Sequence, residues 1–371
     1  MSETPAPPHF PAVLDLFALE GRFISAAHYG SGHINDTFVV LQDVGAAQPR
    51  RYIAQRINDR IFKDVPALMD NIRRVTTHLT AKAGPAGRQL TLVPTRDGEA
   101  CARDAHGGWW RFYDFIKDAH TVDRVTNEAQ AREAARAFGD FQAQLADLPG
   151  GRLHETIPNF HHTRSRFENF RRALQADVVG RAADVQPEID YAFSREADAD
   201  VLLNLLAKGD VSERVTHNDT KINNVMLDDA TRSAVAVIDL DTVMPGLPLY
   251  DFGEMMRTSA STTLEDDPAA ANMRLDLRLF EVLVEGYLSS AVGTVLNTTE
   301  RAHLGFAGQL MAYENGLRFL TDYLQGDTYY KIKHPRHNLD RTRTQFALVR
   351  SIIAQTPAMN RILEKSNHAP N

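Results

Sequence analysis

The chain has 371 residues, which is more than one hydrophobic core usually serves, so two domains or lobes are expected. With 43% hydrophobic and 24% charged residues, it has the composition of an ordinary globular protein. Its net charge of −7 is spread along the sequence, which argues against nucleic acid or an anionic membrane as a partner. The single cysteine, Cys101, excludes an internal disulfide and a multi-cysteine metal site. With no secretory signal pattern and no apolar stretch of ~20 residues, the sequence predicts a cytoplasmic protein.

Residues 1–115 have the pattern of a small antiparallel sheet with one helix. The segments RFISAAHYG and DTFVVLQDV flank a Gly/Asn turn and predict a hairpin. RRYIAQRIN predicts a third strand, and GWWRFYDFI predicts a last strand that ends near residue 116. Between these strands, VPALMDNIRRVTTHL places Leu68, Ile72 and Val75 at helical spacing. These elements predict an N-terminal lobe over residues 1–115.

Residues 116–371 have a mainly helical pattern. Helices are predicted near residues 160–176, 190–207, 271–290, 299–324 and 340–354. Short strands are predicted in the middle of this part, in RVTHND, NNVMLD and SAVAVIDLD. The predicted fold class is therefore α+β, with a small sheet lobe followed by a larger helical lobe that carries a polar strand pair.

One short turn, in VTHNDTKINNVMLDD, collects an unusual number of polar side chains. A carboxylate, Asp219, is followed five residues later by a carboxamide, Asn224, and the two can supply oxygen ligands near one point. Oxygen ligands suit Mg²⁺. Asp and Asn are also ordinary turn-forming residues, so this turn by itself leaves both explanations open.

Two acidic residues interrupt the apolar segment SAVAVIDLDTV. In a strand, Asp239 and Asp241 would point to the same side. Burying two carboxylates is costly unless a cation or hydrogen bonds compensate them. A divalent metal ion explains both acids, and a structural salt bridge is the alternative. The next turn, MPGLPLYDFGEMMR, adds Asp251, which either caps a helix or also braces the polar turn.

These motifs resemble the protein-kinase-like fold in their order and spacing. The motif His217-x-Asp219-x-Lys221-x-x-Asn224 resembles its catalytic loop. IDLD resembles the strand whose first aspartate holds Mg²⁺, and the run G-x-P-x-Y-D that ends at Asp251 resembles aminoglycoside phosphotransferases and choline kinases. The resemblance implies a two-lobe kinase fold in which His217 and Asp251 brace the catalytic loop.

Within that superfamily the chain resembles the N-acetylhexosamine 1-kinases over most of its length. The similar stretches are GHINDTF, QRIN, FKDVPALM, THNDTKINNVM, VIDLDTVMPG, YDFG and RFLTDYLQGDTYYKI. This resemblance implies an ATP- and Mg²⁺-dependent enzyme that phosphorylates the anomeric hydroxyl of N-acetylglucosamine or N-acetylgalactosamine.

The resemblance assigns a role to each polar residue of these motifs. Asp219 accepts or orients the proton of the attacking sugar hydroxyl, and Lys221 offsets charge on the γ-phosphate. Asn224 and Asp239 are the expected Mg²⁺ ligands, with Asp241 as an additional ligand. An ordinary carboxylate suffices as the base, because bond making lags bond breaking in a loose phosphoryl transition state.

The ATP phosphates are expected to lie against the first hairpin and the third strand. The turn residues expected to contact ATP are Gly30, Gly32, His33, Ile34 and Asn35. Asn35 stands where kinases have a third glycine, and the usual third-strand lysine is missing. Arg56 is the available cation there, and a guanidinium is a good bidentate phosphate partner. Without the other motifs, a plain hairpin turn explains the glycines equally well.

The adenine is expected at the connection between the lobes, held by backbone hydrogen bonds. The residues expected there are Phe112, Tyr113, Asp114 and Phe115, which also fit an ordinary core strand. The sugar is expected in the helical lobe, facing Asp219. Arg318 and Tyr323 are candidates for a hydrogen bond and ring stacking, although both also fit ordinary helix surface positions.

Three classes of function remain open on the sequence. The first is the sugar 1-kinase. The second is a kinase of aminoglycosides or of another small molecule such as choline. The basic residues near the C-terminal end count against such a cationic acceptor, since only Asp340 opposes Lys331, Lys333, Arg336, Arg341 and Arg343. The third is a non-catalytic pseudokinase, which would have no need of Asp219, Asn224 and Asp239 together.

Overall fold

The computed structural model describes residues 10–30, 34–84 and 87–368. Its helices are α1 (Phe10–Leu14), α2 (Val65–Ala83), α3 (Glu128–Gln144), α4 (Thr163–Ala176), α5 (Gln186–Ser194), α6 (Val201–Lys208), α7 (Pro248–Ser259), α8 (Leu277–Ser289), α9 (Thr298–Ala302), α10 (Leu304–Leu324) and α11 (His337–His368). Its strands are β1 (Arg22–His28), β2 (Asp36–Asp43), β3 (Arg50–Ile57), β4 (Leu92–Val93), β5 (Ala102–Arg103), β6 (Trp109–Asp114), β7 (Ala119–His120), β8 (Arg214–Thr216), β9 (Val225–Asp228), β10 (Ala234–Val237) and β11 (Met244–Gly246). Most strands precede the large helices, which confirms the predicted α+β class with a sheet lobe followed by a helical lobe. Within the described ranges, no helix is long and apolar enough to cross a membrane.

The N-terminal sheet is antiparallel, in the order β1-β2-β3-β6-β4, with β5 also paired to β6. Neighbouring residues of a strand point to opposite faces, so each strand divides its side chains between two environments. The outer face is covered by α1, a helix that the sequence did not predict. The apolar core under α1 includes Phe10, Phe17, Phe38, Tyr52, Ala54, Trp110 and Phe112.

The inner face of the sheet turns toward α2 and the helical lobe. Asp64 caps α2 by accepting a hydrogen bond from the amide of Ala67 at 3.0 Å. The predicted apolar stripe of this helix is buried, because Leu68, Ile72 and Val75 belong to the large core that continues into the helical lobe. One core therefore connects the two halves of the molecule and holds the sheet against the helices.

The helical lobe is built around α10, most of whose residues are buried. Two glycines let this helix and α7 approach closely. A Cβ added to Gly253 of α7 would lie 2.5 Å from the carbonyl oxygen of Ala307, and one added to Gly308 of α10 would lie 2.1 Å from the Met256 sulfur. A larger residue at position 253 would push the two helices apart, because it would meet backbone, whereas one at position 308 would displace the Met256 side chain.

Two small antiparallel sheets carry the polar turn. β8 pairs with β11, while β9 pairs with β10 on one side and with β7 on the other. The turn at residues 217–224 connects β8 to β9. The boundary predicted between lobes 1–115 and 116–371 stays a prediction.

The strand predicted over SAVAVIDLD is shorter in the structure. β10 ends at Val237, and Asp239 has a left-handed backbone with φ 60°. Leu240–Thr242 then forms a single 3₁₀ turn. The expectation that Asp239 and Asp241 point the same way by strand alternation is therefore wrong, because neither residue lies in a strand.

The predicted helices are present with different ends. The segment near 190–207 is broken into α5 and α6 by a 3₁₀ turn at Glu196–Asp200. The segment near 299–324 is divided between α9 and α10, and the last helix continues well beyond residue 354. Hydrophobic periodicity located the apolar stripes of these helices, but it did not indicate the residues at which the helices are interrupted.

Candidate active site

Asp251 holds the backbone of the polar turn. It lies in the first turn of α7 and is fully buried. Its carboxylate accepts hydrogen bonds from the backbone amides of His217 at 2.9 Å and Asn218 at 2.7 Å, and from the Gln142 side chain at 2.5 Å. Burial raises the pKa of Asp251, against the influence of His217 and these three donors. The contacts fix a strained turn, since Asn218 has φ 64°.

His217 has both ring nitrogens engaged within the protein. Nε2 lies 2.9 Å from the carbonyl oxygen of Ile238, and Nδ1 accepts a hydrogen bond from the amide of Asp219 at 3.3 Å. Nε2 therefore acts as the donor to Ile238. The ring also packs against Phe138 and Phe141. The position of His217 thus suits the bracing role expected of it and gives it no open face for proton transfer.

The turn brings Asp219, Lys221 and Asn224 together. Lys221 Nζ lies 2.8 Å from one carboxylate oxygen of Asp219. The Asn224 amide nitrogen donates to the other carboxylate oxygen at 3.2 Å and to the Asp219 carbonyl oxygen at 2.8 Å. The amide nitrogen of Asn224 is thereby used inside the turn, and its side-chain oxygen makes no hydrogen bond to any residue that the structure describes.

The Asp219 carboxylate is kept ionised. Burial acts to raise its pKa, but Lys221, His217 and the hydrogen bond from Asn224 outweigh burial, and the net pKa is lowered. The charge of Asp219 in turn raises the pKa of Lys221. A carboxylate in this state can orient a hydroxyl and accept its proton as charge moves to the phosphoryl group.

Asp239 is the most exposed of the acidic residues in this group and lines the crevice. No residue in the described ranges makes a hydrogen bond or ion pair with its carboxylate. Loss of solvation in the crevice and repulsion by Asp241 and Asp219 raise the pKa of Asp239 to about 7. A carboxylate without a partner beside two other acids fits a site for a cation.

Unlike Asp239, Asp241 has partners within the protein. One of its oxygens forms an ion pair with Arg111, and the other accepts a hydrogen bond from the Asn35 side chain at 2.5 Å. Asp241 and Arg111 are both almost completely buried. The pair connects the 3₁₀ turn after β10 to the N-terminal sheet, so we do not retain Asp241 as an additional metal ligand.

Arg111, rather than Arg56, is the cation of the N-terminal sheet that reaches the site. Arg56 shares the outer face of the sheet with Trp110, is half exposed, and lies 4.0 Å from Asp36. Arg111 lies on the inner face and also donates to Gln55 at 2.9 Å. The assignment of Arg56 to ATP is therefore corrected, because strand alternation turns it away from the crevice. The sequence did contain a signal, an arginine among the aromatic residues of GWWRFYDFI.

The turn between β1 and β2 is partly described. Gly30 has φ 79°, which favours glycine, and Ile34 is exposed. The Asn35 side-chain oxygen accepts from the Asn58 amide at 3.0 Å, so Asn35 links the hairpin to the segment after β3. Gly32 and His33 lie outside the described residues.

The strand expected near adenine is largely a core strand. Phe112 belongs to the outer core and packs against Phe17 at 4.4 Å between ring centroids, whereas Tyr113 is buried on the inner face. The amides of Asp114 and Phe115 donate to the carbonyl oxygens of Thr91 and Arg51. These two donors are thus already used within the N-terminal lobe.

Of the two residues expected to bind sugar, Arg318 lies against Phe160, whose neighbour His161 contacts the carbonyl oxygen of Asn218 in the turn. Its guanidinium lies over the rings of Phe160 and Tyr330, both at 5.7 Å. Tyr323 is buried, and the guanidinium of Arg181 covers its ring at 4.5 Å. Tyr323 is therefore withdrawn as a stacking residue, because five residues of helix turn it away from Arg318.

A buried histidine that sequence reasoning missed supports the turn from the helical lobe. His161 Nε2 lies 3.0 Å from the carbonyl oxygen of Asn218, and Nδ1 lies 2.8 Å from a carboxylate oxygen of Glu314. The other oxygen of Glu314 accepts from Thr163 at 2.6 Å. Burial acts to raise the pKa of Glu314, but His161 outweighs it and the net pKa is lowered. Nothing in the sequence FHHTR distinguishes this histidine from its neighbour His162.

Among the described residues, no group of three or more His, Cys, Asp or Glu side chains is arranged to hold a metal by itself. Mg²⁺ commonly takes only one or two protein carboxylates, together with water and substrate phosphates. The pairing of Asp239 with the side-chain oxygen of Asn224 agrees with such a site.

Residues 26–286 match the family described as "Phosphotransferase enzyme family" (APH), and the chain belongs to this family of kinases and phosphotransferases. Similar solved structures include a microcompartment-associated aminopropanol kinase, at 15% identity and TM-score 0.57 with 94% of this chain and 97% of that chain covered. An aminoglycoside phosphotransferase from Alicyclobacillus acidocaldarius is 15% identical with TM-score 0.55, covering 99% of this chain and 98% of that chain. The amicoumacin kinase hAmiN, in complex with AMP-PNP, Ca²⁺ and Ami, is 12% identical with TM-score 0.56, covering 89% of this chain and 90% of that chain. At these identities, the likeness shows a shared fold.

Proposed function

We propose that this protein is an ATP- and Mg²⁺-dependent kinase that transfers phosphate to the anomeric hydroxyl of N-acetylglucosamine or N-acetylgalactosamine. The observation that carries the proposal is the convergence of Asp219, Lys221 and Asn224 on one braced turn, close to the carboxylate of Asp239, which has no partner among the described residues. The similarity of the sequence to N-acetylhexosamine 1-kinases supports the choice of acceptor.

In this proposal Asp219 orients the anomeric hydroxyl and accepts its proton as the bond to phosphorus forms. An anomeric hydroxyl is more acidic than an ordinary alcohol, so a carboxylate with a lowered pKa suffices. Lys221 leaves its ion pair with Asp219 to contact the transferred phosphoryl group and offset its charge. Asp251 and His217 keep the turn in place during these steps.

Asn224 and Asp239 are the proposed Mg²⁺ ligands, through the Asn224 side-chain oxygen and the Asp239 carboxylate. A divalent cation there would remove the repulsion that raises the pKa of Asp239. When bound, Mg²⁺ neutralises charge on the phosphates of ATP. Gly30 is the N-lobe residue proposed to lie against the nucleotide, while the buried pair of Arg111 and Asp241 holds the N-terminal sheet against the 3₁₀ turn that follows Asp239.

The test is ADP release from ATP and Mg²⁺ with each free sugar, followed by isolation of the product. We expect turnover of N-acetylglucosamine or N-acetylgalactosamine and an acid-labile sugar 1-phosphate. The methyl glycosides, which are blocked at C1, should not react. Equal reaction of the methyl glycosides would show that another hydroxyl is phosphorylated.

The variant Asp219→Asn separates catalysis from a pseudokinase role. It should abolish turnover and leave ATP affinity largely intact, because Asp219 is proposed to act on the acceptor. Asp229→Asn, in the turn between β9 and β10, is the matched control and should keep full activity. Undiminished turnover in Asp219→Asn would remove this residue from the mechanism.

A further inference from the structure

A cavity of about 860 Å³ lies in the helical lobe, between α11, α5 and residues 270–275. None of the residues that line it belongs to the turn at 217–224 or braces that turn. The wall that α11 contributes has helical spacing and consists of Arg343, Ala347, Arg350, Ser351, Ala354 and Gln355. Cavities of roughly 300–1,000 Å³ accommodate small organic ligands, so this space suits a molecule larger than a single ion.

The lining of this cavity carries more positive than negative charge. It contains Arg274, Arg343 and Arg350 and one acid, Glu188. Arg274 donates to two backbone carbonyl oxygens, and the guanidinium of Arg350 lies 4.4 Å from the ring centre of Tyr191. Within the described ranges, no carboxylate forms an ion pair with Arg274 or Arg350. In a chain with a net charge of −7, this local excess of positive charge favours an anionic ligand.

Glu188 pairs with Arg343 alone. Glu188 is buried, and its Oε1 accepts a hydrogen bond from Arg343 Nε at 2.6 Å. Its Oε2 has no hydrogen-bond partner among the described residues, so this acid neutralises no second arginine. The contact through Nε leaves both terminal nitrogens of the Arg343 guanidinium without a partner in the part of the chain that the structure describes. Because the Arg343 side chain is 36% exposed, these nitrogens are available as donors to a ligand.

Arg343 and Arg350 meet the same short stretch of α5, although two turns of α11 separate them. Arg343 contacts Glu188, and Arg350 contacts Tyr191. Glu188 and Tyr191 are three positions apart on α5, and the Cβ atoms of such a pair are about 5–6 Å apart. The two guanidinium groups are thus placed to contact one anionic group.

A hydroxyl donor lies beside these arginines. Ser351 Oγ accepts hydrogen bonds from the Leu275 amide at 3.0 Å and from the Gln355 side chain at 3.1 Å. A hydroxyl has two lone pairs and one proton, so both lone pairs are used while the proton has no acceptor among the described residues. The bond to Leu275 also keeps the preceding residue, Arg274, near Ser351. Hydroxyl and guanidinium donors that face one space suit an oxyanion.

We propose that this cavity is a second binding site, which holds the phosphate group of a small organic phosphate ester between Arg343 and Arg350. Arg274 and Ser351 supply further donors, and Leu275 with the alanines of α11 provides apolar surface for the organic part. Guanidinium groups match phosphate oxygens with paired, charge-assisted hydrogen bonds. The site goes beyond the proposed kinase function and does not depend on it. Sugar phosphates and nucleoside monophosphates share this chemistry, so the experiment includes both.

The test is isothermal titration calorimetry of the whole chain with glucose 1-phosphate, AMP, inorganic phosphate and methyl glucoside. AMP-PNP and Mg²⁺ are kept in excess, so that the nucleotide site is occupied. We expect one or both esters to bind, one molecule per chain, about tenfold or more tightly than inorganic phosphate. Methyl glucoside, which lacks the phosphate, should not bind. Tighter binding of glucose 1-phosphate than of AMP identifies a sugar phosphate site, and the reverse order identifies a nucleotide site.

The variant Arg350→Gln should weaken binding of the ester by about tenfold or more, because one charged donor group is removed. Arg350 is exposed, so this change should leave the fold intact. Arg361→Gln is the matched control, since Arg361 is an exposed arginine of α11 outside the lining, and it should leave the affinity unchanged. Arg350→Lys keeps the charge but loses the planar fork, so it should weaken binding less than Arg350→Gln does.

The two proposals fail differently. Absence of binding of both esters at millimolar concentration would overturn the second site. Equal affinity for inorganic phosphate and both esters would also overturn it, as would an unchanged affinity in a folded Arg350→Gln protein. ADP release with a sugar but no ester binding would leave the kinase function standing without this site. Ester binding in a protein that releases no ADP would leave the site standing without the sugar kinase function.

Discussion

Replacing Arg111 by methionine should destabilise the protein strongly. Arg111 and Asp241 form an ion pair in which the two side chains are 1% and 4% exposed. Burial acts to lower the pKa of Arg111, but Asp241 outweighs it and the net pKa is raised. The variant Arg111→Met leaves the Asp241 carboxylate buried without its charge partner, and breaking such a pair typically costs about 3–5 kcal/mol in the free energy of unfolding.

The matched control is Arg56→Met, one position along the paired strands. Arg56 is 49% exposed and lies 4.0 Å from Asp36, which is 64% exposed, so this change should cost about 0–1 kcal/mol. The assay is urea unfolding followed by tryptophan fluorescence. Both tryptophans, Trp109 and Trp110, lie on the same strand as Arg111 and report on the N-terminal sheet directly.

ATP affinity gives a second readout of the same pair of variants. Because Arg111 holds Asp241, two residues from the proposed metal ligand Asp239, Arg111→Met should weaken ATP binding while Arg56→Met leaves it unchanged. The reasoning is refuted if Arg111→Met unfolds at the same urea concentration as the unaltered protein. It is equally refuted if Arg56→Met has the larger effect on stability or on ATP binding.

Three further predictions concern other charged groups. The pKa of Asp239 is raised from 3.8 to about 7, so stability without ligands should fall as pH rises between these values. Asp239→Asn should remove that decline in urea midpoints, and an equal decline in both proteins would contradict it. His161→Phe leaves the buried Glu314 without its hydrogen-bond partner and the Asn218 carbonyl oxygen without a donor, so the urea midpoint and kcat should both fall, whereas unchanged kcat would show that His161 does not position the turn. Lys333, His337 and their hydrogen bonds lower the pKa of Asp266 from 3.8 to about 2, and the stability this provides is present above the ordinary pKa and lost as pH falls toward 2. Asp266→Asn should therefore lower the midpoint at neutral pH and lose its disadvantage near pH 2, as acid titration of circular dichroism would reveal.

The polar turn shows what the sequence determined by itself. The order of motifs around Asp219, Asp239 and Asp251 indicated a kinase-like fold, and membership of the phosphotransferase family agrees with it. Hydrophobic periodicity located the strands of the N-terminal lobe and the buried stripe of α2. These features are local, because a turn sequence or an apolar period is written in consecutive residues.

The partners of the charged side chains were decided only by the tertiary structure. Arg111 and Asp241 are 130 residues apart in the chain, and His161 and Glu314 are 153 apart. Whether a given arginine faces the crevice depends on the face of the sheet it occupies, and so Arg56 was chosen where Arg111 meets the site. Long-range pairing of this kind follows from how sheets and helices pack together, which one segment of sequence does not encode.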